Sequence, residues 1–231
     1  MKRETTKAVI IKRLNFGEAD RILTVITPEQ GLLSLLVKGV RKPKSKLSGG
    51  LELFSISDIG YIDGKSDLKT VVSTQIDVHF KNVVKDIKRT MLGYEIMKYT
   101  ALYAEHSREN NFFDLLRTSL EELNDDSLRA DVVYSWFILQ LLQMSGSGIN
   151  LEKPLMSKAF DSSKNYEFSF DDMSFYENKN GDFSATHIKF LRLLVTSSSS
   201  KTVAKVTQLE EVMEKITVFL PQLIKYVNQG K

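Results

Sequence analysis

Over the first eighty positions hydrophobic residues alternate with polar ones, and beyond them the apolar spacing changes to about 3.6. Ala8-Val9-Ile10-Ile11 opens a first strand, and Gly17-Glu18-Ala19-Asp20 reads as a turn. Arg21 to Thr27 alternates and is rich in β-branched residues, as a half-buried strand should be. Pro28 to Gly31 is a second turn, and an apolar third strand runs from Leu32 to Lys38. Phe54 to Ile62 alternates again, Asp63-Gly64 is a hairpin signal, and a fifth strand follows from Leu68 to Ile76. Five strands with a long third-to-fourth connection, and no helical pattern between them, predict a small closed barrel. The OB-fold is the commonest five-stranded version.

From about residue 80 the stripes are helical. Leu92, Ile96, Tyr99 and Tyr103 form one, Leu116, Leu120 and Leu123 a second. Leu128, Val132, Trp136 and Leu139 form a third, with Ser127 as its capping residue. Gly146-Ser147-Gly148 ends this region. Residues 150–184 break the pattern with Pro154 and Asn178-Lys179-Asn180-Gly181, and Tyr166 to Phe170 suggests a small hairpin there. Helix returns from Thr186 to Val195, breaks at Ser197 to Ser200, and resumes from Leu209 to Val227, where Pro221 should bend it. The expected fold is therefore α+β. An OB-fold barrel is expected over residues 1–80, and a helical domain with an insertion at about 150–184 over 81–231.

The chain has no cysteine, which excludes disulfides, thiol nucleophiles and thiolate zinc sites. No apolar stretch approaches the length of a membrane span, and Met1 to Lys7 is too charged for a secretory signal. A cytoplasmic, reducing location without membrane contact is the simplest expectation. Net charge alone says little, with 32 Lys+Arg against 29 Asp+Glu. Its distribution says more, because residues 1–80 hold 13 cations against 9 acids.

Most of that surplus sits in one place. Lys38 to Lys46 carries five cations and no acid, and its glycine, proline and serine argue for a loop rather than a helix. Lysines on a loop at the end of a rigid strand neutralise phosphates, and arginine binds them bidentately. Lys38, Arg41, Lys42, Lys44 and Lys46 are thus the first candidates for contacts to a phosphodiester backbone. Arg13 and Arg21, flanking the first hairpin, could extend the path, ordinary strand-edge solvation being the competing role. Phe16 and Phe54 could stack on bases, although burial is the expected place for both. Glu18 and Asp20 read as turn-stabilising acids, with Asp20 pairing a nearby cation.

Catalytic chemistry has little support. His79, His106 and His187 are far apart, and none has a second ligand at metal-like spacing. Gly39 to Ser45 fails the P-loop pattern, because Lys44 stands where the second glycine belongs. Glu121-Glu122 and Asp125-Asp126 read as solvated acids at a helix end. No catalytic residue, metal or cofactor is assigned.

Two segments carry a family resemblance: Asn15 to Thr24, with its G-E-x-D-R element, and Lys38 to Leu47, with K-G-x-R-[KR]-x-x-S. In order and spacing the chain resembles the RecO family of bacterial DNA repair proteins. The resemblance implies an OB-fold barrel followed by helices, binding to single- and double-stranded DNA, and annealing of complementary strands. It also implies RecR and single-strand DNA-binding protein as partners in loading recombinase, with no conventional enzymatic activity. Many relatives carry a four-cysteine zinc element in the insertion, and here it would have to be metal-free. An OB-fold RNA-binding protein, or a protein-interaction scaffold without annealing activity, fits the same composition.

Overall fold

One long strand organises the N-terminal barrel. Strand β1 (Arg3–Phe16) pairs antiparallel with two partners, β2 (Asp20–Thr27) along its second half and β4 (Ser55–Ile62) along its first. Strand β3 (Gly31–Val37) continues from β2, and β5 (Lys69–His79) pairs with β4. A parallel pairing of Leu35 with Lys69 and Leu36 with Thr70 closes the barrel in the order β1-β2-β3-β5-β4. That is the expected OB-fold. The computed structural model describes residues 3–63, 68–105, 111–206 and 209–229. His106 and the Gly64 half of the expected Asp63-Gly64 turn lie outside them.

Alternation alone places the start of β1 at Ala8, but the strand extends to polar ends that carry no hydrophobic signal. Gly17 (φ 56°) and Gly31 (φ 62°) supply the left-handed backbone that closes the first two hairpins. Inside, Ala8, Ile10, Leu23, Val25, Leu35, Val37, Ile59, Tyr61 and Val71 form one apolar core. Ile10 pairs with Val25, but the next pair along the ladder is Lys12 with Thr24, so Ile11 is an extra residue. Beyond this bulge the faces of β1 exchange, and Arg13 rather than Lys12 stands opposite the buried Leu23.

The chain divides into two compact units, residues 1–126 and 127–231. In the first, α1 (Lys81–Lys85), α2 (Ile87–Glu105) and α3 (Phe112–Leu123) follow the barrel. The buried face of α2 centres on Gly93, Ile96, Met97 and Thr100, rotated from the expected stripe, with Leu92 and Tyr99 only partly buried. Gly93 explains the rotation. A Cβ at this position would stand 2.5 Å from Cε1 of Phe54, so glycine lets the helix close on that ring. On α3 the expected Leu116, Leu120 and Leu123 are buried, but so is Glu122, which had been expected in solvent. Its spacing from Ser119 puts it on the packed face.

In the second unit α4 (Ala130–Met144) begins after Arg129 rather than at Ser127, and Arg129 gives no side-chain cap. Leu128 is already buried ahead of the helix. Residues 150–184 go beyond the expected hairpin. Strands β6 (Asn150–Leu155), β7 (Asn165–Ser169), β8 (Ser174–Glu177) and β9 (Phe183–Ser184) form a sheet in the order β6-β8-β7-β9, the hairpin being β7 and β8. Helices α5 (Ala185–Thr196), α6 (Ser200–Val203) and α7 (Leu209–Val227) complete the unit, α7 continuing through Pro221 as one element. Trp136 donates its indole N–H to the Ser197 carbonyl at 2.8 Å, tying α4 to the end of α5. Among the described residues no helix is long and apolar enough to cross a membrane.

Candidate nucleic-acid interface

The two sequence elements that carry the resemblance meet in space. Asp20 at the start of β2 accepts the Gly39 N–H at 2.7 Å. The Arg41 N–H donates to the Ala19 carbonyl at 2.9 Å, and Arg41 Nη1 donates to the Gly17 carbonyl at 3.3 Å. The turn of the first hairpin is thus bonded to the loop that leaves β3. Asp20 stabilises a turn as expected, but it does so through a backbone amide, that of Gly39, rather than through a cation. Gly39 sits at φ 64°, the left-handed conformation that lets the chain turn away from β3.

Within the loop, Lys42 N–H donates to the Gly39 carbonyl at 3.1 Å and Ser45 N–H to the Lys42 carbonyl at 3.0 Å. These are two successive tight turns. Val40 and Leu51 are buried in the barrel core, and the partly buried Leu47 packs against it. The segment is therefore anchored by its apolar residues while its cations face outward. Lys38, Arg41, Lys42, Lys44 and Lys46 are all exposed. Among the described residues no carboxylate pairs with Lys38, Lys42, Lys44 or Lys46, so their charge is open to an external anion. Glu18, Ala19, Asp20, Lys38, Gly39 and Lys42 line an open depression between hairpin and loop.

The two other candidate cations are more engaged. Arg13 Nη1 donates to the Leu51 carbonyl at 3.3 Å and to Glu52 at 3.1 Å, clasping the far end of the same connection. Arg21 Nε donates to Asn15 Oδ1 at 3.3 Å across the hairpin. Of the two aromatics expected to be buried, Phe54 is, under α2, whereas Phe16 is 50% exposed. Leu14 beside it is 55% exposed. The bulge at Ile11 is the reason. Unbroken alternation from Ile10 would carry Leu14 and Phe16 inward, and one extra residue turns them out.

Comparison with known proteins agrees with the motifs. Residues 1–78 match the family model described as Recombination protein O N terminal. The resemblance to the RecO family is borne out over the barrel. A protein from Dehalococcoides mccartyi named DNA repair protein RecO is 37% identical over 142 residues, 61% of this chain and 55% of that protein. A protein of the same name from Desulfatibacillum aliphaticivorans is 34% identical over 153 residues, 64% of this chain and 59% of that one. The chain thus spans somewhat over half the length of the RecO relatives it matches.

The zinc element that the resemblance brings with it does not fit residues 150–184. There is no cysteine, and among the described residues no three His, Asp or Glu side chains form a group able to hold a metal. His187, at the edge of the insertion, accepts the Ser184 N–H on Nδ1 at 3.0 Å in a capping box that starts α5. Burial holds its imidazole below the usual histidine value. Within the insertion the aromatic side chains pack edge-on, Phe175 against Phe168 at 4.9 Å and against Phe183 at 5.2 Å. Elemental analysis of the purified chain should find well under one zinc per molecule. A stoichiometric, chelator-resistant zinc would mean that another donor set exists.

Proposed function

We propose that this chain is a DNA-binding recombination mediator of the RecO type, acting in DNA repair without nucleotide hydrolysis. The observation that carries the reading is the bonded pair of motifs. The hairpin turn holds the loop in place, and the loop presents five exposed cations, none of which pairs with a carboxylate among the described residues. Lysine and arginine so placed bind phosphodiester backbone irrespective of sequence. Arg13 and Arg21 extend this path along the hairpin. In this reading the barrel binds single- and double-stranded DNA and anneals complementary strands. With RecR it helps load recombinase onto strands coated with single-strand DNA-binding protein. The second unit receives protein partners.

Annealing is opposed mainly by repulsion between two phosphate backbones, so a protein that covers several phosphates raises the rate by neutralising them. Strand annealing followed by fluorescence should accelerate in the presence of the chain with no ATP, and the acceleration should shrink as salt is added. Should the chain bind single strands yet never speed annealing, alone or with its cognate single-strand binding protein, the scaffold reading prevails. Parallel titrations against single-stranded DNA and RNA over a salt series separate the mediator from an RNA-binding OB-fold protein.

A further inference from the structure

An apolar face lies beside the cationic loop. Beyond the Ile11 bulge, Lys12, Leu14 and Phe16 share the outward side of β1 by strand alternation. Leu14 stands opposite Ile22, which stands opposite Leu36, so an apolar row runs across three strands. Ile22 and Leu36 are partly buried, while Leu14 and Phe16 are largely open. Phe16 itself stands opposite Asp20, the residue that fastens Gly39, and precedes Gly17, whose carbonyl accepts Arg41. The ring is thus one residue from the hinge joining hairpin to loop. Exposed Lys12 and Lys38 flank the row, and Arg41 and Lys42 follow in the loop.

We propose that Phe16, with Leu14 beside it, is a stacking platform for unpaired bases, giving the loop–hairpin site a preference for single strands over duplex. This rests on the nucleic-acid reading of the loop and deepens it. A flat apolar side chain bordered by cations complements a polyanion whose flat apolar groups are exposed. An unpaired strand is such a ligand. A duplex keeps its base faces stacked inside and offers this surface only phosphates. Stacking on an aromatic ring is tolerant of base identity, because every base has a π-face.

The test compares wild-type chain with Phe16→Ala, Phe16→Tyr and Phe16→Trp on oligo-dT, on an abasic strand of equal length, and on duplex. Phe16→Ala should weaken oligo-dT binding about tenfold. It should leave the abasic strand, the duplex and the salt dependence as in wild type, since no phosphate contact is lost. Phe16→Tyr and Phe16→Trp should retain the preference. Ultraviolet crosslinking of wild-type chain to oligo-dT should place the adduct on Phe16, a result that needs no variant to fold. An equal loss on abasic and normal strands, no loss on any, or an adduct confined to other residues overturns the platform. A variant that keeps DNA binding but loses RecR overturns it too, and makes the face a protein-docking surface. If Arg41, Lys42 and Lys44 variants weaken binding while Phe16→Ala does not, the platform alone fails. If wild-type chain shows no salt-dependent binding at all, the nucleic-acid reading itself has failed.

Discussion

Changing Arg41, Lys42 and Lys44 together to alanine should weaken single-strand binding and lower the magnitude of the slope of log affinity against log salt by about two units. The figure follows from counterion release, each lost phosphate contact on a single strand removing roughly 0.7 of a unit. Over a roughly fourfold rise in salt, wild-type affinity should then fall about twentyfold further than that of the variant. All three side chains are exposed, so their truncation leaves the barrel core intact. Arg41 is a partial exception, because its side chain also donates to the Gly17 carbonyl. Its backbone bond to Ala19 survives any substitution that keeps an N–H, as does the Asp20 bond to Gly39. A Lys42→Ala, Lys44→Ala double variant isolates the electrostatic part and should lose about 1.4 units of slope. An unchanged slope in a folded variant would remove the loop from the site.

What the sequence revealed and what it concealed in this region have the same physical origin. The barrel was legible because its strands alternate and its turns carry glycine, and the loop because five cations without an acid are visible in any register. The join between the two motifs was not. Asp20 and Gly39 are far apart along the chain, and only the β2–β3 pairing brings them together. The exposure of Phe16 was concealed by a single residue. A bulge at Ile11 leaves no compositional mark, yet it reverses which side of β1 faces solvent. The helical stripes were read well where side-chain size dictates the face, as in Val132, Trp136 and Leu139. They were read less well on α2, where an absent side chain at Gly93 sets the approach. The sheet at 150–184 is hard to read because only one of its strands, β7, alternates, while β6 and β8 do not and β9 has two residues.

That sheet leads to the second large expected effect, the loss of Phe219. Four short strands cannot hold together in water unless their apolar side is covered. Tyr166 and Phe175 are fully buried, and Phe168 and Phe183 nearly so. Phe219 on α7 supplies the cover, its ring edge-on to Phe168 at 4.9 Å and to Phe183 at 5.1 Å, with Phe175 at 6.1 Å. Truncating a buried phenylalanine costs about 3–5 kcal/mol, a transfer loss plus the cavity left behind. Typical domains hold only about 5–15 kcal/mol in all, so Phe219→Ala should leave the second unit marginal. Urea unfolding should show the loss, and limited proteolysis should open residues 150–184 first. Phe219→Leu, which keeps much of the volume, should be milder. The basic loop lies in the other compact unit, on a barrel with its own core. Phe219→Ala should therefore keep the salt slope of single-strand binding while losing whatever depends on the second unit. A loss of stability below about 1 kcal/mol would show that the aromatic cluster is not what holds this cysteine-free insertion together.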